Sequence, residues 1–123
     1  MTARLRILVV LTSCFVSLAL SASAPAVTTL FAKTGPGFDI SLKTTPGKKV
    51  TRLPAGTYRI VVNDRNGFGN PHNFRLRGPG VNRATSVPFA GRRVWTVKLR
   101  PGAYRFLCDP HELAMNGSFR VTA

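Results

Sequence analysis

Short stretches of alternating apolar and polar residues, separated by turns rich in Pro and Gly, leave this chain few folds to adopt. In residues 57–63, Tyr58, Ile60 and Val62 share one face. In residues 93–99, Trp95, Val97 and Leu99 do the same. A period of two residues is typical of a β-strand with one buried face. Further predicted strands lie at 28–32, 38–43, 49–53, 73–77, 104–108 and 119–121.

The turns between these segments predict how the strands are arranged. Pro-Gly and Asn-Gly pairs preset the backbone angles of tight turns, as at 46–47, 66–67 and 101–102. No segment has a convincing helical period. A chain of 123 residues holds one domain. We therefore predict an all-β, two-sheet Greek-key β-sandwich with about seven or eight strands.

The first 26 residues have the three-part pattern of a secretory signal peptide. Arg4 and Arg6 precede an apolar run over 7–20, and small residues follow up to Ala26. We predict cleavage after Ala26, with residues 27–123 as the mature domain. An uncleaved membrane anchor is the alternative. Residues 11–14 also have the form of a lipobox, but the apolar run continues beyond Cys14, so we interpret Cys14 as part of the signal peptide. Either way, we predict export to the periplasm, the cell surface or the exterior.

The mature domain keeps a single cysteine, Cys108, in a compartment where thiols oxidise. An unpaired cysteine there calls for an explanation such as a bound metal. Cys108, His111 and Met115 lie within eight residues. His72 lies in a second short loop, before the predicted strand 73–77. Each of these residues alone is more often structural. Two His and one Cys with a weak Met ligand are, however, the donor set of a blue-copper electron-transfer site.

The sequence at this point resembles the cupredoxins, the small blue-copper proteins such as plastocyanin, amicyanin and pseudoazurin. The matching segments are 71–74, 104–111 and 115–117, with support from the turns at 54–58 and 99–104. The resemblance implies that His72, Cys108 and His111 are equatorial ligands of one copper ion and that Met115 is the axial ligand. It also implies that Asn73 ties the two ligand loops together through hydrogen bonds.

The function that these motifs predict is the transport of single electrons between redox partners, without enzymatic activity, since no catalytic dyad or substrate pocket is evident. One alternative is a copper-binding or copper-delivery protein that does not shuttle electrons. Another is a non-redox interaction module that holds zinc or no metal, because the same donors accept Zn(II).

The charge of the chain bears on its partners. The formal charge is +14, and loss of Arg4 and Arg6 with the signal peptide lowers it to +12. Export and the lack of a stacking platform argue against nucleic acid as a partner. We expect acidic redox proteins, or an anionic membrane or cell-wall surface, as partners of a monomer. Arg75, Arg77 and Arg83 follow the first ligand loop and are candidate docking residues. Asp109 and Glu112 flank the candidate ligands. One interpretation is that Asp109 caps a turn and Glu112 is a solvated charge; the other is that both locally offset the positive surface.

Overall fold

The computed structural model describes residues 16–45, 47–66, 71–87 and 89–123. The predicted positive region of the signal peptide, most of its apolar run and Cys14 lie outside these residues. Residues 16–27 contain neither helix nor strand and are exposed to solvent. In the described part of the chain, no helix is long and apolar enough to cross a membrane.

The described residues form nine strands arranged in two sheets that pack face to face. The first sheet has the order β2-β1-β4-β7 and the second the order β3-β9-β8-β5-β6. The strands are β1 (Thr28–Thr34), β2 (Ile40–Thr44), β3 (Arg52–Pro54), β4 (Gly56–Asp64), β5 (Arg75–Gly78), β6 (Val81–Ala84), β7 (Gly91–Leu99), β8 (Gly102–Leu107) and β9 (Asn116–Thr122). The predicted all-β, two-sheet sandwich is confirmed.

The alternating residues form the core between the two sheets. Tyr58, Ile60 and Val62 of β4 pair with Val97, Trp95 and Arg93 of β7 in antiparallel register, and the apolar members of both sets are buried. Phe119 and Val121 of β9 face the same core from the second sheet. The core cluster runs from Leu30 to Val121, so residues 27–123 contain all nine strands and every member of the core.

One strand was missing from the sequence prediction, which gave seven or eight. The additional strand is β6, four residues that are exposed or half-buried at the edge of the second sheet. Backbone pairing with β5, rather than burial of side chains, holds β6 in the sheet. Its sequence, Val81 to Ala84, therefore has no alternating apolar face. A short 3₁₀-helix, Asp109–His111, was also not predicted.

Four loops meet at one end of the sandwich. The loop after β1 contacts the end of β4, since Arg65 donates its backbone N–H to the Thr34 carbonyl. The β4–β5, β6–β7 and β8–β9 loops are joined by side-chain hydrogen bonds described below. This end carries every residue that the sequence selected as a ligand.

Candidate metal centre

Three side chains that bind soft or borderline metals converge at the loop end of the sandwich. One ligand atom from each of His72, Cys108 and His111 lies within 4.8 Å of the other two. The Cys108 Sγ is 3.7 Å from the Nδ1 of His72 and 3.6 Å from the Nδ1 of His111. The two Nδ1 atoms are 3.1 Å apart. His72 precedes β5, whereas Cys108 and His111 follow β8, so two loops supply the group.

The backbone of the β8–β9 loop fixes the second half of the site. Cys108 donates its backbone N–H to the Met115 carbonyl at 3.0 Å, and Met115 donates to the His111 carbonyl at 2.8 Å. Pro110 lies within the 3₁₀-helix and restricts its backbone. The result is a tight loop in which Met115 lies at the base of β9 with its side chain fully buried. The structure thus places Met115 in the same loop as Cys108 and His111.

Asn73 joins the two loops. Its Oδ1 accepts the backbone N–H of Asp109 at 2.7 Å. Its Nδ2 donates to the Asp109 carboxylate at 2.7 Å and to the Thr85 carbonyl at 3.1 Å. Its backbone N–H points at the Cys108 Sγ, 3.5 Å away. One buried amide therefore fixes the position of Cys108 relative to His72.

A salt bridge supports Asp109 from the side of β5. The Arg75 guanidinium donates to both carboxylate oxygens of Asp109, at 2.6 and 2.8 Å, and to Asn82 at 2.8 Å. The same pair raises the pKa of Arg75 and holds the pKa of Asp109 below its ordinary value. Arg75, a candidate docking residue from the sequence, is therefore half-buried and engaged within the protein, whereas Arg77 is exposed.

Glu112 and Arg83, also singled out in the sequence, lie at the surface. Glu112 is 3.4 Å from Arg105 in an exposed salt bridge. Arg83 lies 5.6 Å from the centre of the Trp95 ring and donates to the Thr96 carbonyl at 3.4 Å. Both contacts involve groups accessible to water, where such pairs contribute little to stability.

Sequence reasoning missed Asn66, which positions His72. The Asn66 Oδ1 accepts the backbone N–H of His72 at 2.5 Å, and its Nδ2 donates to the His72 carbonyl at 3.0 Å. The same Nδ2 also reaches the carbonyl of Phe89 in the β6–β7 loop. In the sequence, Asn66 is visible only as half of an Asn-Gly turn signal, and its spacing from His72 has no recognisable pattern.

Two residues of the β1–β2 loop also border the site. The exposed Phe38 ring lies edge-on to His111, with 5.0 Å between ring centres, and 6.0 Å from His72. Gly35 has a φ of +68°, and a Cβ there would lie 2.5 Å from the Arg65 carbonyl oxygen and 3.3 Å from Cδ2 of His72. Gly35 therefore allows the backbone to pass close beside the His72 ring.

A buried carboxyl group lies behind the site. Asp64 is 2 % exposed, and among the described residues its Oδ1 has no hydrogen-bond partner. Its Oδ2 accepts a hydrogen bond from Thr85 Oγ1 at 3.2 Å, and this hydroxyl accepts the backbone N–H of Phe74 at 2.9 Å. Burial raises the pKa of Asp64 to about 6, although the Thr85 hydrogen bond acts in the opposite direction. In the sequence, Asp64 continues the alternating row of Tyr58, Ile60 and Val62, and this period is the signal that could have marked it as inward-facing.

The environment sets the protonation of two candidate ligands. Burial lowers the pKa of His72, as does the proximity of His111, while a hydrogen bond with the Gly37 backbone opposes them. Burial also raises the pKa of the Cys108 thiol, against the lowering effect of the Asn73 N–H. His72 is thus held neutral, as a ligand must be, whereas Cys108 must lose its proton when a metal binds.

Comparison with known proteins shows which solved structures have a similar fold. No protein-family model matches the sequence, and no curated protein matches it. Among solved structures, rusticyanin from Thiobacillus ferrooxidans is similar, with 24 % identity, a TM-score of 0.56 and coverage of 76 % of each chain. Reduced rusticyanin has 20 % identity and a TM-score of 0.56, over 81 % of this chain and 82 % of that one. Auracyanin B has 22 % identity and a TM-score of 0.55, over 83 % of this chain and 93 % of that one.

These neighbours agree with the sequence motifs. Rusticyanin and auracyanin are cupredoxins, and the present sandwich carries its His-Cys-His cluster at the loop end. The chain has the cupredoxin fold, as its sequence predicted.

Proposed function

We propose that this protein binds one copper ion through His72, Cys108 and His111, with Met115 as axial ligand, and carries single electrons between redox partners. The observation that carries the proposal is the convergence of two imidazoles and one thiol, from loops 36 residues apart, at the same end of the sandwich. Rusticyanin, one of the similar structures, is a copper protein.

The donor spacing fits a single ion. For zinc, a comparable ion, metal–sulfur distances are about 2.3 Å and metal–nitrogen distances about 2.0–2.1 Å. Two donors on one ion must therefore lie closer than about 4.4 Å for sulfur and nitrogen, or about 4.2 Å for two nitrogens. The observed separations of 3.7, 3.6 and 3.1 Å all satisfy this limit. The donor types distinguish the metals, since thiolate and thioether sulfur favour Cu(I) while imidazole suits both oxidation states.

Copper held by these donors supplies a one-electron Cu(I)/Cu(II) couple. The protein contributes a site that resists rearrangement. Asn73 bridges the two loops, and the backbone bonds between Cys108 and Met115 close the second loop upon itself. The N–H of Asn73 directed at the sulfur stabilises the thiolate and tunes the potential of the site.

The exposure of the four side chains suggests where electrons enter and leave. His72, Cys108 and Met115 are buried, and His111 is half-buried beside the exposed Phe38 ring. His111 is thus the member of the group that reaches the surface. We propose that redox partners dock at this end, over Phe38 and His111, and that acidic partners are favoured by the charge of +12 that remains without Arg4 and Arg6.

We further propose that residues 1–26 direct export and are removed. Supporting this, Val16, Leu18 and Leu20 are apolar but exposed, and the core cluster begins only at Leu30. A removable segment must not contribute to the core of the mature domain. Mass spectrometry of the protein recovered from the exported fraction would find Val27 at the amino terminus, whereas an intact chain in the membrane fraction would support the anchor instead.

The copper proposal is tested by visible and EPR spectra of residues 27–123 loaded with one equivalent of Cu(II), with Cys108→Ala as the matched control. We expect an intense thiolate-to-copper band and a narrow copper hyperfine splitting that both disappear in the control. A pale Cu(II) spectrum that the control leaves unchanged would show that Cys108 is not a ligand.

Two further measurements separate the alternatives. A reversible one-electron potential with fast self-exchange supports electron transfer over copper delivery. Competition between Cu(II) and Zn(II), followed by the same band, tests the zinc alternative, and a colourless protein that retains zinc after addition of copper would contradict the proposal.

A further inference from the structure

The outer face of the first sheet combines a central apolar row with surrounding positive charge. The strand register places Phe31 of β1 beside Val61 of β4, and Val61 beside Val94 of β7. Phe31 is 44 % and Val94 is 45 % exposed, whereas Val61 between them is covered. These three side chains point away from the core cluster, which contains none of them. A solvated sheet face ordinarily carries polar residues at such positions.

Basic side chains surround this apolar row on the same face. Lys43 pairs with Phe31 in the register, and Arg59 and Arg92 occupy the adjacent rows of β4 and β7. Lys33 and Lys98 extend the same face. Asp64 of β4 points into the interior, whereas Asp39, directly before β2, forms a salt bridge with Lys33 at 2.5 Å, so Lys33 adds no unpaired positive charge to this face. We define the basic-apolar face as Phe31, Lys43, Arg59, Val61, Arg92, Val94 and Lys98.

The basic-apolar face also contains a shallow groove. The groove has a volume of about 380 Å³ and is lined by Phe31, Lys43, Val61 and Arg92, among others. Its apolar floor and cationic rim match the chemistry of a lipid, which has acyl carbon below a phosphate.

The outer face of the second sheet provides an internal comparison. It is also basic, with Arg52, Arg77 and Arg120 exposed on β3, β5 and β9. In the described part of the chain, however, the large exposed apolar residues from position 28 onward are Phe31, Val94, Phe38 and Leu113. The last two lie at the loop end, so neither belongs to the second sheet. Among the residues that the structure describes, only the first sheet joins exposed apolar side chains to a cationic rim on one sheet face.

We infer that the basic-apolar face binds the surface of an anionic phospholipid bilayer. The cations attract the negative headgroups, and Phe31 and Val94 enter the boundary between headgroups and acyl chains. A protein partner that exchanges electrons would instead be expected at the loop end. Binding through the sheet face leaves His111 and Phe38 free, so the protein could rest on a membrane and still meet its partners. This inference does not depend on which metal occupies the site.

The test is sedimentation of residues 27–123 with vesicles, because this segment holds the whole core and lacks the apolar signal segment. Vesicles of phosphatidylglycerol and phosphatidylcholine are compared with phosphatidylcholine alone, at low and high salt. We expect binding to the anionic vesicles only, weakened by salt. Each cation near the surface contributes about a fivefold change in partition, so Lys43→Gln, Arg59→Gln and Arg92→Gln together should weaken binding about a hundredfold.

The matched control changes the charge equally on the opposite face: Arg52→Gln, Arg77→Gln and Arg120→Gln. We expect this triple variant to bind within a few fold of the unmodified protein. Equal losses in the two triple variants would overturn the inference, because the net charge and not the face would then decide binding. If the first triple variant unfolds, as judged by circular dichroism, the Lys43→Gln and Arg92→Gln double variant replaces it, with an expected loss of about twenty-five-fold.

Insertion of the apolar row is measured separately. The unmodified protein has a buried Trp95, so its fluorescence is subtracted from that of Phe31→Trp. The remaining fluorescence should shift to shorter wavelength when anionic vesicles are added. An unchanged spectrum with vesicles bound would refute insertion of Phe31. The same face could instead bind an acidic protein. If the protein bound poly-glutamate but not vesicles, and the first triple variant lost that binding, the face would be assigned to an acidic partner and the inference overturned.

Discussion

Asp64 should make this protein less stable as the pH rises from about 4 to about 7. Its carboxyl group is buried, with one oxygen that has no hydrogen-bond partner among the described residues. A charge at this position is poorly solvated, and burial raises the pKa to about 6 from the ordinary 3.8. The folded state therefore keeps a proton that the unfolded state has already lost.

The size of the effect follows from these two pKa values. Between them the folded state binds more protons than the unfolded state, so the free energy of unfolding falls with increasing pH. A difference of about two between the pKa values corresponds to about 3 kcal/mol. Substitution of Asp64 by Asn removes the charge and leaves an oxygen that can accept the Thr85 hydroxyl. The stability of Asp64→Asn relative to the unmodified protein should therefore increase by about 3 kcal/mol between pH 4 and pH 7.

The assay is urea unfolding of the metal-free protein and of Asp64→Asn at several pH values over this range. The shifted groups His72 and Asp109 also change stability with pH, but they are present in both proteins and cancel in the difference. A ¹³C titration of the Asp64 carboxyl by NMR provides the pKa directly. A stability difference that stays constant with pH, or a carboxyl that titrates near 4, would refute the reasoning.

Three further predictions concern the residues that position the candidate ligands. Asn73→Ala should lower the free energy of unfolding of the metal-free protein by about 2–4 kcal/mol in urea, because it removes the bonds to Asp109 and leaves a buried carbonyl without its donor; a loss below about 0.5 kcal/mol would contradict this. Gly35→Ala should cost about 2 kcal/mol or more and move the His72 ring resonances in NMR, since its φ is +68° and its Cβ would meet the Arg65 carbonyl oxygen; an unchanged melting temperature would count against it. Arg75→Gln should raise the pKa of Asp109 toward its ordinary value, so that acidification through the lowered pKa removes less stability than in the unmodified protein; a ¹³C titration curve of Asp109 identical in the two proteins would disprove the role of this salt bridge.

The two apolar surfaces of the domain have different positions in the fold. Phe38 and Leu113 are exposed at the loop end, beside the candidate ligands, whereas Phe31 and Val94 are exposed on the outer face of the first sheet. Residues of the first pair sit in loops, and those of the second pair sit on strands paired through β4. Separate surfaces would let membrane binding and partner docking occur together.

Local sequence accounts for much of the fold. Most of β4 and the second half of β7 alternate, because one face of each packs on the core, and this period is visible in the sequence. The edge strand β6 could not be predicted in this way. It is held by backbone hydrogen bonds to β5, and backbone groups leave no trace in the side-chain pattern. The parallel pairing of β1 with β4 is a second case, since it joins segments that are distant in the chain.

The sequence by itself determined which residues could hold a metal. Cys108, His111 and Met115 lie close together in the chain, and two His, one Cys and one Met form a donor set whose chemistry is independent of any fold. Only the tertiary structure decided that His72 comes within 3.7 Å of the Cys108 sulfur, that Asn66 holds its backbone, and that Gly35 gives its ring room. It also revealed the buried Asp64 and the basic-apolar face. The local alternation of β4 indicates only which side Asp64 faces. Its burial, and the alignment of Phe31, Val61 and Val94 across three strands, depend on strand register and on packing between elements far apart in the chain.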